Sequence, residues 1–224
     1  MKLINLTTSE RSFRPKCRMI LKFRRLCLLI VLFSCTSLIF AQRPILDPTF
    51  GSNGTVTTPI VRDLVSGARS YAYATKVQSD GKIVIAGFGL DEISGYNTFI
   101  LGRFNTNGTL DNTFGINGGT IRTIIGSISN AHALAIQSDG KIIAVGTALN
   151  PTTDNWAFAL ARYNADGTLD NSFGENGIVM TENVTGSDGT DNELYAIALQ
   201  TDGKIVVTGY SWLSTATQGY ALAR

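Results

Sequence analysis

Residues 158–177 read FALARYNADGTLDNSFGENG. The whole stretch has a sister in residues 99–118, FILGRFNTNGTLDNTFGING. Its second half occurs a third time as LDPTFGSNG, from Leu46 to Gly54. The Leu-Asp pairs at Leu46, Leu110 and Leu169 lie 64 and 59 residues apart. A second block recurs in step: QSDGKIV from Gln78, QSDGKII from Gln137 and QTDGKIV from Gln200. The Phe/Tyr-x-Leu-x-Arg block has its last copy in Tyr220-Ala221-Leu222-Ala223-Arg224. Three blocks returning in one order define a unit of about 60 residues.

Each block has a mechanical reading. Asp-Gly between two apolar runs is a hairpin signal, so AHALAIQ and KIIAVGT are expected to pair around Asp139-Gly140. The expected turn is type I′, with positive φ at both central residues. The runs KIVIAGF and KIVVTGY are rich in β-branched residues, as strands are. In FALARY, alternation puts Phe158, Leu160 and Arg162 on one face. Ala159 and Ala161 leave the other face small, which permits close sheet stacking. Asn-x-(Asn/Asp)-Gly and Phe-Gly-x-Asn-Gly read as turns. A short strand should follow the second turn, at Thr55-Val56-Thr57, Ile121-Arg122-Thr123 and Ile178-Val179-Met180.

The unit is therefore all-β, with four short antiparallel strands and no amphipathic helix. Four strands per radially repeated unit describe a β-propeller blade. A β-solenoid is the bland competitor, but its coils are shorter and lack Asp-Gly hairpins. The units run 46–109, 110–168 and 169–224, the third truncated before its Tyr-Asn-x-Asp-Gly turn. Propellers close with about four to eight blades, so this chain makes an incomplete ring. It reads as part of a larger protein, or as a chain that self-associates if Arg224 is its true end, because exposed sheet edges invite pairing.

At these residues the chain resembles the delta-60 repeat family, β-propeller-like repeats of secreted bacterial proteins. The shared pattern is A-x-Q-x-D-G-K-I-x-x-x-G followed by F-x-L-x-R-Y-N-x-D-G-x-L-D-x-x-F-G-x-N-G. Phe158, Leu160, Arg162, Tyr163, Asn164, Asp166, Gly167, Leu169, Asp170, Phe173, Gly174, Asn176 and Gly177 carry nearly all of its second half. The resemblance spans residues 46–224. It implies fold and export, and no established activity.

The first 41 residues read as an address. Lys22, Arg24 and Arg25 precede an uncharged run from Leu26 to Phe40, and Ala41 closes it. A basic flank, a short apolar run and a small terminal residue make a secretory signal peptide, with Met19 as an alternative start. The run is short of the about 20 residues a spanning helix needs. A retained anchor, or a lipid anchor at Leu32-Phe33-Ser34-Cys35, is the competing reading.

Removing residues 1–41 changes what the composition allows. They hold eight of the 19 Lys/Arg and one of the 17 Asp/Glu, so the remainder has 11 basic and 16 acidic groups, net −5. That charge argues against a nucleic-acid partner and against anionic membrane. All three cysteines, Cys17, Cys27 and Cys35, also go, which excludes disulfides and thiolate chemistry from the rest.

The candidate ligands are few. Asn164, Asp166 and Asp170, with the sister set Asn105, Asn107 and Asp111, space hard oxygens around a Gly turn as Ca²⁺ requires. The bland alternative is that these side chains cap their own turns. Asp80, Asp139 and Asp202 precede Gly between strands and read as turn residues. Arg103, Arg162 and Arg224 recur on a strand and read as structural partners of Asp111 and Asp170. The one histidine, His132, is unmatched in the other units, reads as incidental, and leaves no Ser-His-Asp set to assign. Trp156 and Trp212 flank the variable segments 90–97, 149–155 and 213–218, where binding would sit if anywhere. No catalytic residue and no cofactor follow from the sequence, calcium excepted.

These readings define an exported propeller-type binding or structural module, secreted or at the cell surface, with a protein or glycan partner. The competing classes are an extracellular hydrolase or lyase with its site elsewhere, and a calcium-stabilised scaffold.

Overall fold

The computed structural model describes residues 45–58, 69–91, 93–116, 118–182, 191–214 and 217–224. Residues 1–41, read above as a signal peptide, lie outside the described residues. Asp47–Arg224 forms one compact unit. It contains three sheets and, among the described residues, no helix.

Sheet 1 is the meander β1 (Ser70–Val77), β2 (Ile83–Leu90), β3 (Asn97–Phe104) and β4 (Thr120–Thr123). Sheet 2 repeats it with β5 (Ile128–Ile136), β6 (Ile142–Leu149), β7 (Trp156–Tyr163) and β8 (Ile178–Thr181). Sheet 3 has three strands, β9 (Asn192–Leu199), β10 (Ile205–Ser214) and β11 (Thr217–Ala223). All pairings are antiparallel. The sheets stack in chain order without closing, which is an incomplete β-propeller. Sheet and sequence period are out of phase: each fourth strand follows the Leu-Asp-x-x-Phe-Gly loop, so sheets 1 and 2 span residues 70–123 and 128–181.

Alternation along the strands builds two cores. Phe99, Leu101, Val84 and Ala86 of sheet 1 face Ala159, Ala161, Ala144 and Ile142 of sheet 2 in one cluster. The opposite face of sheet 2, with Phe158, Leu160, Ile143 and Val145, meets Leu194, Val207 and Ala221 of sheet 3. On β7 one face is thus bulky, with Phe158 and Leu160, and the other small, with Ala159 and Ala161, as FALARY implied. Burying a Phe or Leu fully contributes about 1.5–3 kcal/mol. Tyr163 is fully buried in the first cluster and donates its hydroxyl to Thr123 Oγ1 of sheet 1 at 2.7 Å.

The Asp-Gly hairpins form, but the type I′ expectation is wrong. Gly140 has φ 83°, whereas Asp139 is absent from the positive-φ residues. Gly140 N–H donates to Gln137 O at 2.9 Å, Gln137 N–H to Lys141 O at 2.8 Å, and Lys141 N–H to the Asp139 carboxylate at 3.1 Å. This is a three-residue loop ending in a left-handed Gly, whose aspartate accepts from the backbone two residues on. The turns at Gly81 and Gly203 repeat it.

Each first strand carries a bulge. Tyr73, His132 and Tyr195 are skipped in the pairing between the flanking residues. The strand kinks there, and the carbonyl one turn of pleat earlier leans on the neighbouring strand. Gly87, Gly146 and Gly209 stand at that point. A Cβ at Gly146 would fall 2.0 Å from the Asn130 carbonyl oxygen, and Gly87 and Gly209 meet Tyr71 and Glu193 in the same way. Gly146→Ala is therefore expected to lower unfolding stability by about 1–3 kcal/mol in urea titrations, the usual range for overpacking. An unchanged midpoint would show that the bulge tolerates a side chain.

Candidate functional site

The repeated polar residues assemble into two copies of one clamp. Arg103 Nε and Lys82 Nζ donate to the same Asp111 oxygen at 2.7 and 2.9 Å. The other oxygen accepts the Thr113 N–H at 3.1 Å and its hydroxyl at 2.6 Å. The Arg103 guanidinium lies 4.4 Å from the centroid of Phe114. In sheet 2, Arg162 and Lys141 meet Asp170 at 2.7 Å each, Ser172 replaces Thr113, and Arg162 covers Phe173 at 4.4 Å. The pairing of Arg103 and Arg162 with Asp111 and Asp170 is as read from the sequence. The lysine of the Asp-Gly-Lys turn is a third member that the sequence reading missed.

These contacts set the carboxylate acidities. Burial alone would raise Asp111, but hydrogen bonds from Thr113, Lys82 and Arg103 outweigh it and hold the group well below the usual carboxylate range. Lys141 and Ser172 do the same for Asp170. The calcium candidates are spread over these clamps and their turns. Asp166 Oδ1 accepts from the Thr168 N–H at 2.9 Å and hydroxyl at 2.7 Å, and Asn107 does so with Thr109. Asn164 and Asn105 donate to the same threonines at 3.0 Å. Every one of these six side chains is engaged in turn capping or ion pairing. No group of three or more acidic, His or Cys side chains is placed to hold a metal among the described residues.

The variable segments share a frame despite unlike sequences. Asp91 N–H donates to Tyr96 O at 2.7 Å, and Asn150 N–H to Asn155 O at 2.9 Å. Arg122 anchors Asp91 from the fourth strand at 3.1 Å, and Glu182, just past the end of β8, accepts from the Asn150 side chain. Trp156 is a half-buried β7 residue opposite Leu149, and Trp212 a half-buried β10 residue opposite Gln218. Both tryptophans therefore belong to strand ends rather than to loop tips.

His132 is not isolated. Its imidazole stacks on Tyr195 at 5.3 Å and meets Tyr73 edge-on at 5.9 Å. Tyr73 stacks on Phe88 at 5.3 Å, and Tyr195 lies 6.1 Å from Tyr210. Tyr71 joins at Phe88, 5.3 Å away. Six rings from three sheets form one ladder across the first and second strands. The bulges aim them: each skipped residue, Tyr73, His132 and Tyr195, sits five positions before the Gln of the Gln-x-Asp-Gly block. Aligning the units therefore exposes the column, but its histidine conceals it.

The ladder's chemistry is that of a partly wet aromatic strip. Tyr73 and Tyr195 are more than half exposed. His132 Nδ1 lies 2.9 Å from the Leu194 carbonyl oxygen, which only accepts, so Nδ1 carries the proton. Tyr195 donates its hydroxyl to Glu193, and that bond pushes its pKa up to about 12. Burial and the same Glu193 raise Tyr210. Both phenols stay protonated donors across the neutral range.

Residues 78–114 and 137–173 match a β-propeller domain family of unknown function (DUF5122). This is the family of the delta-60-like repeats, so that resemblance stands. No curated protein matches the chain.

The clamps generate a pH signature. A carboxyl held below its unfolded value of about 3.9 stabilises the fold above that pH, and the stabilisation disappears as pH falls toward the folded value. Stability should be level from neutral pH to about 5 and fall steeply below 4. Asp111→Asn with Asp170→Asn should flatten the acid limb of that curve, measured by denaturant midpoints from pH 7 to 2. At neutral pH, Asp111→Ala strands Arg103 and Lys82 and should remove about 3–5 kcal/mol.

Proposed function

We propose, starting from two segments that match a β-propeller domain family of unknown function, that the chain is an exported binding module whose ligand surface is the aromatic ladder. The carrying observation is the run Phe88, Tyr73, His132, Tyr195, Tyr210, with ring spacings of 5.3 to 6.1 Å across three sheets. A bulge recurs at one position in every sheet and turns a ring onto a common strip. Bulges are designed features that re-aim side chains. Rings with an apolar face and a polar edge suit ligands that offer C–H faces and hydroxyls together, as a glycan does. Glu193 and the Tyr195 hydroxyl supply hydrogen bonding at the strip's edge. The net charge of −5 outside residues 1–41 disfavours a nucleic acid as the stacked partner.

Export rests on the uncharged run Leu26–Phe40 behind Lys22, Arg24 and Arg25. A non-catalytic role is supported by the setting of His132, whose ring is held between two tyrosines with Nδ1 committed to a backbone carbonyl. The Asp111 and Asp170 carboxylates are likewise consumed by their clamps, which suits a scaffold.

A glycan array probed with the chain tests this reading. The expected result is saturable binding to neutral or basic oligosaccharides, weakened about tenfold or more by Tyr195→Ala and by Tyr73→Ala. Aromatic contacts of about 1 kcal/mol or more each justify that magnitude. Binding that survives both substitutions would remove the ladder as the site. Hydrolysis of an array glycan, abolished by His132→Ala, would replace the binding reading with an enzymatic one.

A further inference from the structure

His132 breaks the ladder's pattern at its centre, where the equivalent bulged residues on either side are Tyr73 and Tyr195. Of these three rings only the imidazole carries an N–H, and it is committed to the next sheet. Nδ1 donates to the Leu194 carbonyl of β9 at 2.9 Å. The Leu194 N–H donates to the Thr147 hydroxyl of β6 at 3.4 Å. Sheet 2 therefore holds both backbone polar groups of one β9 residue, and the histidine is half of that grip.

The ring has no freedom to turn. Tyr195 covers it at 5.3 Å with the planes 19° apart, and Tyr73 meets it at 5.9 Å with the planes 65° apart. A flipped imidazole would set a C–H against the Leu194 carbonyl and lose the bond. His132 lies in the middle sheet with a described neighbour on each side, so these contacts are internal to the stack. With the proton on Nδ1, Nε2 keeps a bare lone pair. Among the described residues nothing bonds to Nε2, and it is not sealed in the interior. The Tyr195 hydroxyl beside it is engaged by Glu193. The strip thus holds, at its midpoint, one fixed acceptor between two aromatic side chains.

We propose that His132 is the specificity-determining residue of the ladder and selects sugars that carry an acetamido group, whose N–H donates to Nε2. The inference rests on the ladder's being the ligand surface. An acceptor covered by a ligand without a donor costs more than a bond to it returns. An acetamido group meets both parts of the setting, because its N–H only donates and its methyl packs on a ring. A hydroxyl discriminates less, since it donates or accepts by rotating. An ammonium also donates, but it seeks a carboxylate, and Glu193 beside the strip is occupied by Tyr195.

A pH dependence follows. Protonation places a second N–H at Nε2, facing the N–H of the ligand. The proton and the acetamido sugar therefore compete for one lone pair, and affinity falls as pH falls. The titratable groups facing the ring are the phenols Tyr73 from β1 and Tyr195 from β9, with Glu193 bound to Tyr195. No described carboxylate pairs with the imidazole itself.

The test compares the affinities of the full chain for the tetrasaccharides of chitin and of cellulose, which share a backbone and differ in acetamido against hydroxyl. At about pH 7.5 the chitin tetrasaccharide should bind about tenfold more tightly or better. The preference should shrink to about twofold at about pH 5, across the range in which imidazole changes charge. His132→Phe keeps a stacking ring without the acceptor, and should bind both sugars within about twofold of each other at every pH. A preference that persists to pH 5, or that survives in His132→Phe, would assign the selectivity to another group and overturn the inference. Equal binding of the two sugars at pH 7.5, abolished by Tyr195→Ala, would overturn it while leaving the ladder as the ligand surface. Binding of neither sugar would remove the acetamido assignment and leave the ladder reading to the glycan array. The pH profile of the unmodified chain gives the answer even where His132→Phe folds poorly.

Discussion

The clamp carboxylate is the contact on which the rest depends. Asp111 and Asp170 each hold together three chain segments that the fold must keep in register. The lysine fixes the end of the first hairpin, the arginine fixes the third strand, and the aspartate begins the loop to the fourth. Backbone bonds run beside the ion pair: Asp111 N–H donates to Arg103 O, and Arg103 N–H to Gly119 O. A charge this buried is tolerated only because both carboxylate oxygens are satisfied, two partners each. The same guanidinium covers a phenyl ring and so joins the polar knot to the edge of the core. Arg103 also donates to the Ala165 carbonyl of the next unit at 2.6 Å, so one residue links successive sheets.

Between the clamps, stacking is governed by the inequality of the two sheet faces. A Phe-and-Leu face needs a shallow partner, and the alanines at 144, 159 and 161 provide it. Equal faces would either hold the sheets apart or leave voids, and interiors packed at crystal density allow neither cheaply. The rule is directional, bulky onto small in chain order. It makes each junction between successive sheets heterologous.

Much of this is legible in the amino-acid sequence. The 60-residue period, the four-strand unit, the small alanine face and the Arg–Asp pairing all follow from blocks that repeat with their chemistry intact. What escaped the sequence was of two kinds. The turn at Asp139-Gly140 uses a left-handed glycine after a three-residue loop, and the dipeptide is compatible with both turn types. Lys82 and Lys141 are 29 residues from their aspartates, and only the hairpin geometry brings them there. The ladder was hidden differently. A bulge leaves no signature in the strand that bears it, and His132 looks solitary until it is aligned with Tyr73 and Tyr195. Its trace lies on the neighbouring strand, in the glycines at 87, 146 and 209.

Those glycines separate scaffold from function. At the bulge the backbone partner is glycine in all three sheets, because a Cβ would collide with a carbonyl in each. The bulged side chain itself is Tyr, His and Tyr. Constraint therefore falls on the kink and not on the ring identity. A position whose backbone is fixed while its side chain varies is how a repeat architecture presents a surface that can be tuned unit by unit. The clamps show the opposite pattern, with Lys, Arg and Asp unchanged between sheets 1 and 2 and only Thr113 exchanged for Ser172. Interactions that hold the fold are copied from unit to unit, whereas the aromatic strip is where the copies differ.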